Sequence, residues 1–146
     1  MTVIAWDGKT LAADKRAGTS APRSVTKIRR AANGNLIGAS GTAHGDSELM
    51  AWYDSGAKPE HFPAAQRIAD TNSQLLVIEL GTARVLHYLG TPFPTLFEDM
   101  HFAMGSGRDF ALMAMKLGNS AIDAVALTCE LCAECGNGID TLELAQ

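Results

Sequence analysis

Once Met1 is removed, the second residue of this chain carries a free α-amine and a hydroxyl on adjacent carbons. An aminopeptidase takes methionine from in front of a residue as small as Thr2, so that removal is expected. An α-amine titrates near ~7.7–8.0 and an aliphatic hydroxyl far above, so the amine can take the hydroxyl proton at neutral pH, directly or through water. Thr2 is therefore a candidate nucleophile with a built-in base, doing alone what a Ser-His pair does. Three further groups bear on chemistry. Cys129, Cys132 and Cys135 have a spacing like that of an iron–sulfur or zinc run but lack a fourth ligand. Steps of three along a helix would also fan the thiols over roughly 120°, so they cannot all face one ion. They read as reduced thiols, at least two of them buried as small apolar residues, and neither a metal nor a cofactor is called for. His44, His61, His87 and His101 are scattered singly and suggest no site. Gly105-Ser106-Gly107, just ahead of a helical pattern, fits a weak phosphate cradle or, better, a tight strand-to-helix turn.

The totals bound what surrounds these residues. A length of 146 residues suits one domain with a real core, and 47% apolar against 19% charged residues describes a folded chain with a somewhat apolar surface. A formal charge of −4 argues against nucleic acid as the main partner, since phosphate binding needs a clustered basic face, and Arg23, Lys27, Arg29 and Arg30 make only a short run. No apolar segment approaches the ~18 residues that cross a bilayer, and the start lacks a secretion-signal pattern, so no membrane partner and a cytoplasmic location are expected. Three thiols within seven residues do not suit a disulfide framework, which agrees with that compartment.

The elements that must hold Thr2 follow from turn signals and periodicity. Thr2–Trp6 and Thr10–Asp14 flank Asp7-Gly8 and read as a hairpin that begins at the terminus itself. A third strand is expected over Val25–Ala31 and a small-residue strand over Leu36–Ser40. A helix runs from Thr42 to about Ser55, with Leu49, Trp52 and Tyr53 on one side, and Gly56 ends it. Pro59 and Pro63 frame a linker, Ala64–Asp70 reads as a short helix, and Gln74–Leu80 with Ala83–Leu89 as a second hairpin. Proline turns at Thr91–Pro94 precede a strand over Met100–Met104. Arg108–Leu117 reads as a helix with Phe110, Met113 and Leu117 inward, and a further helix capped by Ser120 runs to about Ala133. Ile139–Leu144 closes the chain as a strand. Strands and helices in this order favour an α+β fold over a doubly wound sheet.

The ordered set of Thr2, Leu11-Ala12-Ala13-Asp14, Lys27-Ile28, Ser40-Gly41, Asp46 and Gly105-Ser106-Gly107 resembles the proteasome β-subunits and, in particular, the HslV-type peptidases, which are N-terminal nucleophile hydrolases. The likeness spans nearly the whole chain, with a shortened middle around residues 59–73. It implies a four-layer αββα sandwich with Thr2 as the nucleophile of a threonine-type endopeptidase. By the same resemblance Lys27 is the buried cation beside Thr2, Asp14 its partner, Gly41 the oxyanion N–H donor, and Ser106 the group that orients the Thr2 amine. It further implies polypeptide substrates, a homo-oligomeric hexameric or heptameric ring, stacked or single, and an ATP-dependent unfoldase as partner. Proteasome β-subunits bring an Asp and a Ser, three residues apart, toward the terminal amine; here those places fall on Cys132 and Cys135. A non-catalytic, ring-forming or binding relative is the alternative this substitution raises.

Overall fold

The computed structural model describes residues 2–18, 21–67 and 73–144. In chain order its strands are β1 (Ile4–Trp6), β2 (Thr10–Asp14), β3 (Arg16–Ala17), β4 (Arg23–Ser24), β5 (Ile28–Arg30), β6 (Leu36–Ser40), β7 (Gln74–Ile78), β8 (Val85–Leu89), β9 (Thr95–Phe97), β10 (Phe102–Met104) and β11 (Ile139–Glu143). The helices are α1 (Ala43–Asp54), α2 (Arg108–Lys116) and α3 (Ala121–Leu131), with 3-10 turns at Pro59–His61 and Ala64–Arg67. The chain forms two compact units, Met1–Ile28 with Asp99–Leu144, and Arg29–Glu98. Among the described residues no helix is long and apolar enough to cross a membrane.

The first unit is built on an antiparallel sheet of order β10-β1-β2-β11, with Ile4 opposite both Met104 and Ala13, and Asp14 opposite Ile139. The hairpin forms where the turn residues predict it, and one side chain explains why it stays closed. Asp7 Oδ1 accepts hydrogen bonds from the backbone N–H of Lys9 (2.9 Å) and Thr10 (2.8 Å), while its Oδ2 accepts one from Ala121 N–H at the start of α3 (2.8 Å). The carboxylate thus closes the turn and occupies the positive end of a helix. Burial by itself would raise the Asp7 pKa, but the bonds from Ala121, Thr10 and Lys9 outweigh it and hold the carboxyl below its ordinary 3.8. A depressed folded-state pKa gives stability that is present above the unfolded value and lost as pH falls through the folded one. Asp7→Asn is therefore expected to lower the urea-unfolding free energy at neutral pH by about 1 kcal/mol, a figure kept small by partial solvation. The gap between variant and parent should close as pH drops below 3.8.

The helices of this unit pack through small residues. Ala111, Ala114 and Met115 of α2 meet Ala121, Ala124 and Val125 of α3 in a core completed by Val3, Ala5 and Ala12. The expected inner face of α2 is corrected here: Phe110, Met113 and Leu117 are 48%, 62% and 76% exposed. Both stripes have helical spacing, and the alanine stripe wins because short side chains let the helix lie close to its neighbours, where larger ones would hold it off. The outward stripe joins Leu127 and Leu131 of α3 around a groove of about 400 Å³. Ser120 Oγ caps α3 by accepting from Asp123 N–H at 3.1 Å, as expected. The helix ends at Leu131 instead of near Ala133, with Cys132 turned to extended dihedrals. Its last turn carries Glu130 and no basic residue, which opposes the helix dipole and favours an early stop.

In the second unit the sheet order is β5-β6-β7-β8-β9, with α1 against β6 and β7. Thr42 Oγ1 caps α1 by accepting from Gly45 N–H at 3.0 Å. Trp52 lies edge-on to Phe62 (5.0 Å between ring centroids) and Tyr88 (5.2 Å) in the centre of this core. Three expectations change. The strand expected over Val25–Ala31 is confined to Ile28–Arg30, because Val25 N–H instead donates to Lys15 C=O at 2.8 Å. The helix expected over Ala64–Asp70 is a 3-10 turn over Ala64–Arg67, and residues 68–70 lie outside the described set. Beyond the proline turns stands β9, which pairs with β8 only and so needs ladder hydrogen bonds along a single side.

Candidate active site

Four of the five residues singled out in the sequence, Thr2, Asp14, Lys27 and Ser106, belong to the first unit, and the sheet explains their convergence. β1 brings the terminus alongside β10, whose end leads directly into Gly105-Ser106-Gly107. Thr2 is 4% exposed and held at three backbone points. Its N–H donates to Ser106 Oγ at 3.1 Å, and its carbonyl accepts from Gly107 N–H at 3.0 Å and from Ser106 Oγ at 3.4 Å. Such an approach excludes a side chain at position 105: a Cβ on Gly105, whose φ is +97°, would overlap the Thr2 carbonyl oxygen. A Cβ on Gly107 would crowd Thr128, Val3 at 3.0 Å and Cys135 at 3.3 Å. The Gly-Ser-Gly segment is thus a close-packed turn that clasps Thr2.

Beneath it lies a buried ion pair. Lys27 Nζ donates to Asp14 Oδ1 at 2.8 Å, with the side chains 6% and 0% exposed. The same Oδ1 accepts from Val3 N–H at 3.0 Å, so the ammonium is no farther from the Val3 nitrogen than the sum of those two distances. Asp14 Oδ2 accepts from Gly136 N–H at 3.0 Å and from Arg16 N–H at 3.3 Å. Asp14 N–H in turn donates to Val3 C=O at 3.2 Å. A buried carboxylate with one cation and three backbone donors has its charge fully answered, which makes the pair tolerable inside a core.

The cysteines border this network. Cys135 is 4% exposed, and its Sγ–H donates to Cys132 Sγ at 3.4 Å. Its thiol is pushed up to about 12 by burial first, then by the Cys132 contact and the charge of Asp14. Burial also raises the Cys129 thiol, with Asp14 and Cys132 adding to it and Lys27 opposing them. Cys129 and Cys132 are half-buried, so one of the three thiols is buried outright where at least two were expected. Among the described residues no group of three His, Cys, Asp or Glu side chains could hold a metal ion.

Gly41 belongs to the second unit. There its φ of +152° and the closeness of Ser73, whose Cα lies 2.6 Å from where a Cβ would stand, account for glycine on packing grounds. Ser73 Oγ accepts from Thr42 N–H at 3.1 Å and fixes the turn into α1.

No family model matches the chain, and no curated protein matches it. Solved structures do. The chain is similar over 100% of its length and 100% of the other chain to a Thiobacillus denitrificans protein, BPH, in complex with Epoxomicin, at 17% identity and a TM-score of 0.69. A second BPH structure from the same organism matches at 18% identity, 99% of both chains and a TM-score of 0.65. Eukaryotic HslV from Trypanosoma brucei matches at 20% identity over 97% of this chain and 98% of that one, with a TM-score of 0.71. The chain has an HslV-like fold. This fold was legible in the motifs, but three of the groups that do the holding were not. Val3 N–H, Gly107 N–H and Gly136 N–H carry no side-chain signal, and only the glycines at 107 and 136 hinted that backbone approaches closely there.

Proposed function

We propose that the chain is a threonine-type endopeptidase of the proteasome/HslV kind, a self-compartmentalising N-terminal nucleophile hydrolase with the αββα sandwich of that class. The observation that carries the reading is the shared oxygen of Asp14, which joins Lys27 Nζ to the amide next to Thr2 while Ser106 Oγ meets the Thr2 nitrogen. With Met1 removed, the Thr2 amine takes the hydroxyl proton, and the alkoxide attacks a peptide carbonyl. The amine then passes that proton to the leaving amine, and water releases the acyl ester. Lys27 lowers the free energy of the alkoxide and disfavours a second positive charge on the amine, keeping it neutral and basic. Asp14 positions Lys27 and Ser106 orients the amine, while Gly41 is named as oxyanion donor by the resemblance alone.

An unguarded nucleophile of this sort would damage cytoplasmic proteins, so the active form is a hexameric or heptameric ring, stacked or single, fed by an ATP-dependent unfoldase. The outward apolar stripe of α2 and α3 supports self-association, since contiguous exposed apolar surface commonly marks an interaction face. The substrate is polypeptide, and the acidic balance of the chain gives no basic face for nucleic acid.

The experiment is covalent trapping. Because BPH is found in complex with Epoxomicin, that compound is the probe: incubated with the purified assembly, it is expected to add one molecule per chain, mapped to Thr2. A folded ring that acquires no adduct, or one that retains Met1, overturns the peptidase reading in favour of a non-catalytic relative.

A further inference from the structure

Cys132 and Cys135 frame a C-x-x-C segment at the end of α3, and the early stop of that helix brings them together. The turn is closed by Cys135 N–H donating to Cys132 C=O at 3.1 Å, after Cys132 N–H has bonded Thr128 C=O at 2.7 Å. Their sulfurs stand 3.4 Å apart, a short shift from the bonding distance of about 2 Å. The pair also touches both halves of the Thr2 clasp. The residue after Cys135 is Gly136, whose N–H bonds Asp14 Oδ2, and Cys135 Sγ abuts the position of Gly107, whose N–H bonds the Thr2 carbonyl.

We propose that Cys132 and Cys135 form a reversible disulfide, made by a peroxide, that displaces the Gly136 amide under Asp14 and so regulates the Thr2 site. Cys132, the more accessible sulfur, is oxidised first: its thiol and hydrogen peroxide give a sulfenic acid and water. The Cys135 sulfur then bonds to the Cys132 sulfur, the S–O bond breaks, and the thiol proton leaves with the hydroxyl as a second water. The two sulfurs together surrender the two electrons that reduce the peroxide, and a dithiol reductant restores both thiols. A protein in a reducing compartment would hold such a bond only transiently, as redox-responsive pairs do. The regulatory consequence rests on the peptidase reading; the disulfide does not.

The test uses the full chain, reduced with a dithiol and then exposed to hydrogen peroxide. Alkylation followed by intact mass is expected to count three thiols before oxidation and one after, with a peptide carrying Cys132 and Cys135 lighter by two hydrogens. Hydrogen exchange at the Gly136 amide should speed up at least about tenfold in the oxidised form, and dithiol should reverse it. Peptide hydrolysis should fall about tenfold or more, since sub-ångström misplacement at a reacting centre has effects of that size. Cys132→Ser, at a half-buried position, should show none of these responses, whereas Cys129→Ser should respond as the parent does. Three alkylatable thiols after peroxide, or a disulfide that leaves Gly136 exchange unchanged, overturns the proposal. Reduced protein that neither cleaves peptides nor reacts with Epoxomicin overturns the peptidase reading instead, while the thiol count and Gly136 exchange still decide the redox pair.

Discussion

Thr2→Ala should lower peptide hydrolysis by roughly 10⁴-fold or more if the proposed peptidase reading holds, because it removes the oxygen proposed to attack and leaves only binding and oxyanion stabilisation. Alanine is small enough for Met1 still to be removed, so the amine remains and only the hydroxyl is lost. The fold should hardly register the change. Thr2 is anchored by its own N–H and C=O, to Ser106 Oγ, Gly107 N–H and Ser106 Oγ–H, and none of these contacts uses the side chain. The melting temperature is expected to move by the equivalent of about 1 kcal/mol at most. Thr2→Ser, which keeps an oxygen beside the amine, should retain measurable turnover. Steady-state kinetics on a fluorogenic peptide alongside thermal melts separates the two effects; a Thr2→Ala protein with parental activity would dismiss the nucleophile assignment.

Asp14→Ala is expected to act on the fold itself, with a loss of about 3–5 kcal/mol in unfolding free energy. The substitution leaves the Lys27 ammonium, 6% exposed, without the carboxylate at 2.8 Å that answers its charge. It also strips the acceptor from the N–H groups of Val3 and Gly136. Against a typical domain stability of about 5–15 kcal/mol, this is enough to leave a fraction of the chains unfolded. Lys27→Met is the informative companion. It removes the cation while the three backbone N–H donors remain on Asp14, so it should destabilise less than Asp14→Ala yet still depress the reactivity of Thr2 toward Epoxomicin. Urea unfolding and the rate of adduct formation report the two consequences independently. A stable, fully folded Asp14→Ala protein would show that the pair does not bear on the core.

Much of this was legible along the chain because the signals are local. Asp7-Gly8 between two β-rich runs dictates the first hairpin, and Ser120 three residues before Asp123 dictates the start of α3. Leu36–Ser40 and the Gln74–Leu89 hairpin carry their own turns and alternation, and β6, β7 and β8 appear within or at the expected bounds. A one-residue chemistry such as that of Thr2 is legible in principle, since nucleophile and base are bonded neighbours and need no fold to meet. Asp14, Lys27, Gly41 and Ser106 were nameable only through their ordered resemblance to a family, because nothing in their local spacing ties a carboxylate to a lysine 13 positions on.

Tertiary packing decided the rest. Which stripe of α2 turns inward is a matter of how near its neighbours lie: Ala111 and Ala114 let the helix come close, Met115 fills the core beside them, and Phe110, Met113 and Leu117 stay outside. β9 exists because the edge of β8 offers it a partner, which outweighs the break that the preceding prolines announce. The union of Val3 N–H, Lys27 Nζ and Gly136 N–H on one carboxylate joins an ammonium to two backbone groups that no side chain advertises, from segments more than a hundred residues apart in the case of Gly136. The meeting of Cys132 with Cys135 is set by the turn that follows α3, closed by Cys135 N–H on Cys132 C=O. Residue types and their order determined that removal of Met1 would leave Thr2 with an amine and a hydroxyl on adjacent carbons, the basis of the proposed nucleophile; only the folded chain determined what surrounds it, because hydrogen bonds between distant backbone groups are set by packing and leave no mark on the identities of the residues that make them.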